Sequence, residues 1–249
     1  MPHNGLGRTP DPRCGSAVSA VGRPRPAPGG GKEVEISADR VVGWVNRFAG
    51  HNTGVADLVA HPDRLEIVGG DGTTATLQVP FAPMAVGTRE PIEALVNHLA
   101  SVGLLGLILV RGGAHSIGTA KDGVVLSSST DRAYLQGRTA AGGWSQQRYA
   151  RRRGNQLAAS LADSAATAER VLLPFVGRLG GLVLAGDATA LKTVMALPAL
   201  KPLAALPFRT FGDVPEPRRA VLDAVAERSL VVRIVVRNRE EHARFLLDR

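Results

Sequence analysis

The chain has 249 residues, of which 44% are hydrophobic, so it is long enough for one large or two small domains with a buried core. Its formal net charge of +8 favours a nucleic acid or another anionic partner. The single cysteine, Cys14, excludes an internal disulfide framework and a cysteine-based zinc site. No apolar run reaches the roughly eighteen residues of a membrane span, and the start lacks the apolar core of a signal peptide. We therefore expect no membrane partner and a cytoplasmic location.

Residues 1–32 are rich in proline, glycine and arginine and show no apolar periodicity. Such a segment buries too little apolar surface to offset the entropy that is lost on ordering. We predict a disordered arm here, either a loose RNA contact or a plain flexible leader.

Residues 33–101 predict a small α/β unit at the N-terminal end of the globular part. Ser37 suits the N-cap of a helix whose apolar face starts at Val41, and a second helix is predicted at 90–99. Three β-rich runs lie between the helices, at 55–59, 65–68 and 74–79. The glycine-rich turn between the last two runs lacks the lysine of a phosphate-binding loop and predicts a hairpin. No chemistry is recognisable in this unit.

Residues 102–249 predict an α/β unit with a mixed sheet and helices on its faces. The continuous apolar run Leu104–Val110 is typical of a central strand that is covered on both sides. A long amphipathic helix follows, whose apolar residues recur every three or four positions from Leu157 to Phe175, and Pro174 should kink or end it. Further strands are predicted at 114–119, 124–128, 181–185, 206–210 and 230–236, and further helices at 186–197 and 217–228.

The most unusual stretch runs from residue 137 to residue 156. Its first half is rich in glycine, so we predict that residues 137–145 are poorly ordered in the isolated protein. Its second half is compatible with a helix. No acidic residue occurs between Asp131 and Asp163, and six arginines in this window carry +6 of the formal +8. Either this is a polar loop on a positive helix that enters phosphate-rich surroundings, or it is a surface loop before a solvated helix face.

Within this stretch, residues 142–153 read Gly-Gly-Trp-Ser-Gln-Gln-Arg-Tyr-Ala-Arg-Arg-Arg. Paired glycines, a glutamine, and then an aromatic residue inside an arginine run make a short but specific motif. It resembles the Gly-Gly-Gln loop and following helix of eukaryotic and archaeal peptide-chain release factors. It is more closely similar to the Vms-like release-factor family, including its bacterial branch. The resemblance extends from about residue 102 to residue 236 and implies a ribonuclease-H-like release-factor central domain.

The resemblance also implies which residues are catalytic, in a glutamine loop at 137–147. In the Vms-like spacing the catalytic glutamine is Gln146, after Gly142 and Gly143, and Gln147 is the neighbouring alternative. If the residues from Arg148 to Arg151 are aligned instead on the corresponding release-factor helix, the catalytic glutamine of the release factors falls on Trp144. A glutamine amide cannot act as a general base, so its role would be to orient water and to stabilise the developing oxyanion. The glycines would allow backbone N–H groups to approach the reacting centre closely.

The function implied is that of a ribosome-associated peptidyl-tRNA hydrolase that rescues stalled nascent chains, with large-subunit rRNA and peptidyl-tRNA as partners. At this length we find no room for codon-reading and GTPase-docking domains, so codon-independent action is expected. Removal of the tRNA 3′ end by an endonuclease, and a non-catalytic ribosome-binding module, remain as alternatives. The predicted RNA contacts are Arg138, Trp144, Arg148, Arg151, Arg152 and Arg153.

Other kinds of catalytic site find no support in the sequence. The six histidines are scattered without metal-ligand spacing, so we predict neither a metal nor a small-molecule cofactor. His115, on a predicted strand, is expected to be a surface or hydrogen-bonded histidine rather than a ligand. There is no Gly-x-Ser-x-Gly elbow and no dinucleotide-binding fingerprint.

Overall fold

A computed structural model describes residues 22–132 and 144–247, except for the side chains of residues 144–147, 149 and 150. Eleven strands and seven helices occur in these two ranges. The strands are β1 (Arg25–Pro26), β2 (Lys32–Ile36), β3 (Val55–Ala60), β4 (Arg64–Gly69), β5 (Thr74–Gln78), β6 (Leu104–Arg111), β7 (Ala114–Lys121), β8 (Val124–Arg132), β9 (Leu179–Gly186), β10 (Phe208–Phe211) and β11 (Val232–Arg237). The helices are α1 (Val41–His51), α2 (Pro91–Ser101), α3 (Trp144–Leu172), α4 (Ala188–Met195), α5 (Lys201–Ala204), α6 (Arg219–Arg228) and α7 (Arg239–Leu247).

The first sheet has six strands in the order β1-β2-β11-β5-β4-β3, and all of its pairings are antiparallel. Strands β4 and β5 alternate between buried and more exposed residues, as strands with one covered face do. Leu65, Ile67 and Leu77 are fully buried in a core to which Phe48 of α1 and Leu95 of α2 also belong. The helices and strands predicted for residues 33–101 are all present in this part of the fold.

Two strands of this sheet differ from the sequence-based expectation. β11, which we expected in the second sheet, lies between β2 and β5, where Ile234 and Val232 join the first core. β1 pairs with Lys32 and Glu33 and lies in the range predicted as a disordered arm. β11 pairs with strands that are distant in the sequence, and β1 lies in a segment without a regular apolar pattern. Hydrophobic periodicity predicts neither kind of pairing.

The second sheet has five strands in the order β10-β9-β6-β7-β8. β6 lies at its centre, parallel to β9 and antiparallel to β7, and all of its residues from Leu105 to Val110 are buried. One face packs against α3 and α4 through residues such as Ile108 and Ile117, and the other packs against α6 through Leu107 and Leu109. The predicted mixed α/β class, with helices on the sheet faces, is confirmed.

Helix α3 packs on this sheet through most of the apolar stripe that the sequence predicts, but Leu157, the first predicted member of that stripe, is exposed. Leu161, Ala165, Ala168 and Leu172 are buried against the strands. The helix ends at Leu172, and a 3₁₀ segment, Leu173–Arg178, follows. Pro174 lies in the first turn of that segment, because a proline there loses no helical hydrogen bond.

A buried ion pair joins the first sheet to α6, the helix that packs on the second sheet. Arg228, at the end of α6, donates from Nε and Nη2 to both carboxylate oxygens of Glu35 on β2, at 2.7 and 2.9 Å. Its Nη1 donates to Asp213, and its guanidinium lies 4.6 Å from the centre of the Phe211 ring. Burial alone would raise the pKa of Glu35, but the hydrogen bonds and charge of Arg228 outweigh burial and lower it.

Replacing Arg228 with methionine is expected to lower the free energy of unfolding by about 3–5 kcal/mol, because the Glu35 carboxylate is then buried without its partner. Urea denaturation of each variant measures the effect. Adding Glu35→Leu should restore part of the loss, since the Glu35 carboxylate is then no longer buried without its partner. Arg218→Met, which removes an arginine with a 70% exposed side chain from its pair with Glu216, is the control and should change little. Equal losses for the two arginines would contradict the prediction.

Candidate nucleic-acid interface

Helix α3 has an exposed first half and a packed second half. Residues 151–155 are exposed without interruption, which is more than one full helical turn, so every face of the helix is solvated there. The first buried described side chain is Ser160. We call residues 148–159 the arginine stem. At 1.5 Å per residue it is about 18 Å long, and the fully exposed turn at 151–155 shows that α3 extends beyond the sheet that holds its second half.

The arginine stem is positively charged along this length. Arg148, Arg151, Arg152 and Arg153 are all exposed, and the chain has no acidic residue between Asp131 and Asp163. Arg148, Arg151 and Arg152 have the i, i+3 and i+4 spacing that places residues on one helix face. An exposed helix with several arginines and no acidic side chain to neutralise them is suited to binding phosphate groups.

Small polar side chains fix the packed half of α3 to strand β7. Ser160 Oγ donates to the carbonyl oxygen of Gly113 at 3.1 Å, and Ser164 Oγ donates to the Ser160 carbonyl at 2.8 Å. Ser164 Oγ also lies 3.2 Å from Nδ1 of His115. Farther along, Arg170 donates to Ser129 Oγ on β8 at 3.1 Å. These contacts start at the first buried turn and set the direction in which the arginine stem leaves the sheet.

His115 is 1% exposed, so the expectation of a hydrogen-bonded histidine is met, but at a buried position. Nδ1 of His115 and the Ser164 hydroxyl lie within hydrogen-bond distance, and the tautomer of His115 decides which of them donates. Nε2 is buried without a hydrogen-bond partner among the described residues. Burial lowers the pKa of His115 and Arg170 lowers it further, while Asp163 and Asp131 oppose the shift.

The stability of the protein is therefore expected to fall as the pH drops below the usual histidine pKa of 6.5. The folded state binds the His115 proton less readily than the unfolded state, so this contribution is complete above pH 6.5 and decreases at lower pH. His115→Asn keeps a donor near Ser164 and cannot titrate. Its unfolding free energy should depend less on pH between about 6.5 and 5 than that of the parent, measured by urea denaturation. A pH dependence in His115→Asn equal to that of the parent would contradict the prediction.

The predicted catalytic and RNA-contacting residues fall partly outside the described residues. Arg138, Gly142 and Gly143 lie in the range 133–143, which the structure does not describe. Trp144, Gln146 and Gln147 lie at the start of α3, and their side chains are not among those described. The helix thus begins within the range 137–147 that the sequence predicts as a loop. The four arginines from Arg148 to Arg153 lie together on the arginine stem, as their spacing predicts.

The described residues, 22–132 and 144–247, contain no group of three or more His, Cys, Asp or Glu side chains arranged to hold a metal ion. Within the same ranges no helix is long and apolar enough to cross a membrane. The sequence did not predict the contacts that Ser160, Ser164 and His115 make at the base of the arginine stem. These residue types are common, and Ser164 and His115 are 49 positions apart. No local pattern in the sequence therefore identifies the contacts.

Several solved structures are similar to the chain at low identity. An archaeal translation termination factor matches with 15% identity and a TM-score of 0.37, over 65% of this chain and 51% of that one. The Vms1 mitochondrial localization core matches with 9% identity and a TM-score of 0.44, over 80% and 81%. Pelota from Archaeoglobus fulgidus matches with 14% identity and a TM-score of 0.32, over 85% and 68%. The matched region spans about half the length of the archaeal factor.

No curated protein matches the chain. A family model does match, over residues 103–235, from the start of β6 into β11. This region comprises more than half of the 249 residues. It includes the five strands of the second sheet, the arginine stem and the range in which the glycines and glutamines lie. The chain belongs to the Actinobacteria/chloroflexi VLRF1 release-factor family.

Proposed function

We propose that the protein is a ribosome-associated peptidyl-tRNA hydrolase, which releases stalled nascent chains in the cytoplasm without reading a codon. One observation carries the proposal. The solvated arginine stem, with no acidic residue from 132 to 162, directly follows a segment that contains Gly142, Gly143, Gln146 and Gln147. Membership of a release-factor family supports the same function.

In this proposal the arginine stem binds phosphates of rRNA and tRNA, and the residues before it reach the peptidyl-transferase centre. Arginine is suited to this contact because its planar guanidinium donates two parallel hydrogen bonds to a phosphate. The contacts of Ser160 with Gly113 and of Ser164 with His115 hold the base of the stem against the sheet, so that binding at the arginines positions the catalytic segment.

The reaction is hydrolysis of the ester between the peptide and the tRNA ribose. A water oxygen attacks the carbonyl carbon, the bond from that carbon to the ribose oxygen breaks, and a proton passes to the ribose oxygen. The products are the free peptide acid and a tRNA with an intact 3′ hydroxyl. Gln146 would orient the water through its amide, and backbone N–H groups at Gly142 and Gly143 would stabilise the oxyanion. Gln147 is the alternative for the first role.

Two other functions are compatible with the same stem. An endonuclease would cut the tRNA near its 3′ end and leave the terminal nucleotides on the peptide. A binding module would bind the ribosome or tRNA and cleave nothing. Both use the positive charge of the arginine stem, and they differ from hydrolysis only in what happens at the residues before it.

The test is to incubate purified protein with ribosome complexes stalled on two different codons and to measure the intact masses of the peptide and the tRNA. Hydrolysis predicts an unmodified peptide and a full-length tRNA at equal rates for the two codons. A peptide that carries nucleotides, with a shortened tRNA, would replace hydrolysis with endonuclease cleavage. Binding in a sedimentation assay without either product would support the binding module and contradict the proposal.

A further inference from the structure

A cleft of about 280 Å³ lies at the junction of the two sheets, away from the arginine stem. Its walls come from the end of β5 and the following segment, from β10 of the second sheet, and from β11 of the first. The residues that matter below are Gln78, Phe208, Arg209, Thr210 and Arg233. The cleft therefore forms only when the two sheets are joined, and the ion pair between Arg228 and Glu35 holds the first sheet to α6, which packs on the second.

Two arginines, Arg209 and Arg233, line this cleft. Arg209 donates from Nη1 to the carbonyl oxygens of Ser229 and Val231, at 2.9 and 2.6 Å, which fixes its position. In the described part of the chain it forms no salt bridge. Burial lowers the pKa of Arg209 to about 10, Glu35 opposes this shift, and the charges of Arg233 and Arg228 add smaller contributions to it. An anion in the cleft would give the buried guanidinium a direct ion-pair partner.

Arg233 is the second cation of the cleft. On β11 it pairs in register with Gln78 on one side and Glu35 on the other, so the three side chains share one face of the sheet. Glu35 is already bound to Arg228. Arg233 Nε lies 3.5 Å from the Glu33 carboxylate and is buried without a hydrogen bond among the described residues. Nε of Arg233 is therefore a hydrogen-bond donor that is available to a ligand in the cleft.

An aromatic residue, Phe208, lines the same cleft and also a second cleft beside α4. Phe208, on the edge strand β10, is 61% exposed, which is unusual for a phenylalanine in a folded domain. Gln78 and Thr210 beside it are also exposed and offer an amide and a hydroxyl. A flat apolar ring, fixed guanidinium groups and neutral hydrogen-bonding groups are the elements with which proteins bind single-stranded nucleic acid.

We propose that this cleft binds one unpaired nucleotide of an RNA strand, with the phosphate at Arg209 and Arg233 and the base stacked on Phe208. The cleft is open at the surface, so the strand can continue in both directions. It would provide a second RNA contact, remote in the fold from the packed base of α3, and it needs neither Gln146 nor the ester reaction. Its failure would therefore leave the proposed hydrolysis untouched.

The experiment is a titration of the full chain, followed by NMR, with 5′-AMP, the trinucleotide ApApA, adenosine and inorganic phosphate. The expected result is that AMP binds more tightly than adenosine or phosphate, and that ApApA binds at least as tightly as AMP. Phe208→Ala should weaken AMP binding about tenfold, on the scale of one base–aromatic stack, and leave phosphate binding unchanged. Arg233→Gln should weaken the binding of both AMP and phosphate.

Matched variants separate the cleft from other surfaces. Leu126→Ala removes a side chain that is equally exposed, at 60%, from the edge strand β8, and it should not change AMP binding. Arg40→Gln, which changes an exposed arginine outside the cleft and the arginine stem, should also leave AMP binding unchanged. If Phe208→Ala binds AMP like the parent, the cleft does not recognise a base and the proposal fails. If AMP binds but ApApA shows no binding that depends on Phe208, the site takes a free nucleotide and the RNA assignment is wrong.

Discussion

Replacing Gln146 with alanine is expected to slow the cleavage of peptidyl-tRNA by roughly 10²–10³-fold, the scale for the loss of one positioned polar group. Gln146 lies near the start of α3, fourteen positions before Ser160, the first buried described residue of the helix. The change should therefore leave the folding of the core and the binding to ribosomes nearly intact. Single-turnover release of nascent peptide from stalled ribosomes measures the rate, and sedimentation with ribosomes measures binding.

Gln147→Ala is the matched control, because it removes the same amide one position later. Its effect on cleavage should be smaller, since the Vms-like spacing places the catalytic glutamine at 146. A slow Gln147 variant together with a normal Gln146 variant would move the catalytic role by one residue. Normal cleavage by both single variants and by the double variant would contradict a glutamine mechanism altogether.

Reversing the charge of Arg151, Arg152 and Arg153 to glutamate is expected to weaken binding to ribosomes or tRNA by roughly 10²-fold or more at low salt. Each charge-assisted hydrogen bond to a phosphate contributes about 1.5–3 kcal/mol. The log–log dependence of affinity on salt should also become shallower by about 2 to 3, because each lost phosphate contact removes roughly 0.7–0.9 from the slope. Binding titrations at several salt concentrations give both quantities.

The control changes the net charge by the same amount at a different place. Arg40, Arg47 and Arg89 are exposed in the part of the fold that holds the first sheet, and their reversal to glutamate should have a smaller effect. If the two triple variants lose affinity equally, binding depends on overall charge and not on the arginine stem. If the stem variant binds like the parent at low and moderate salt, the stem is not the RNA contact.

The sequence by itself determined the features that depend on neighbouring residues. The apolar run Leu104–Val110 identified the central strand, and the spacing of Leu161, Ala165 and Leu172 identified the buried face of α3. Both patterns report the local geometry of a strand or a helix, with periods of about 2 and 3.6 residues. The arginine window was visible for the same reason, because its residues are close together in the chain.

Only the tertiary structure decided which elements meet. β11 has a strand pattern that fits either sheet, and its place between β2 and β5 follows from pairing with residues far away in the chain. Arg228 and Glu35 are 193 positions apart, and Ser164 and His115 are 49 apart. Such contacts depend on the packing of whole sheets and helices, which periodicity within one element does not encode. The cleft that contains Arg209 and Arg233 is formed by residues of both sheets, so the sequence did not predict it.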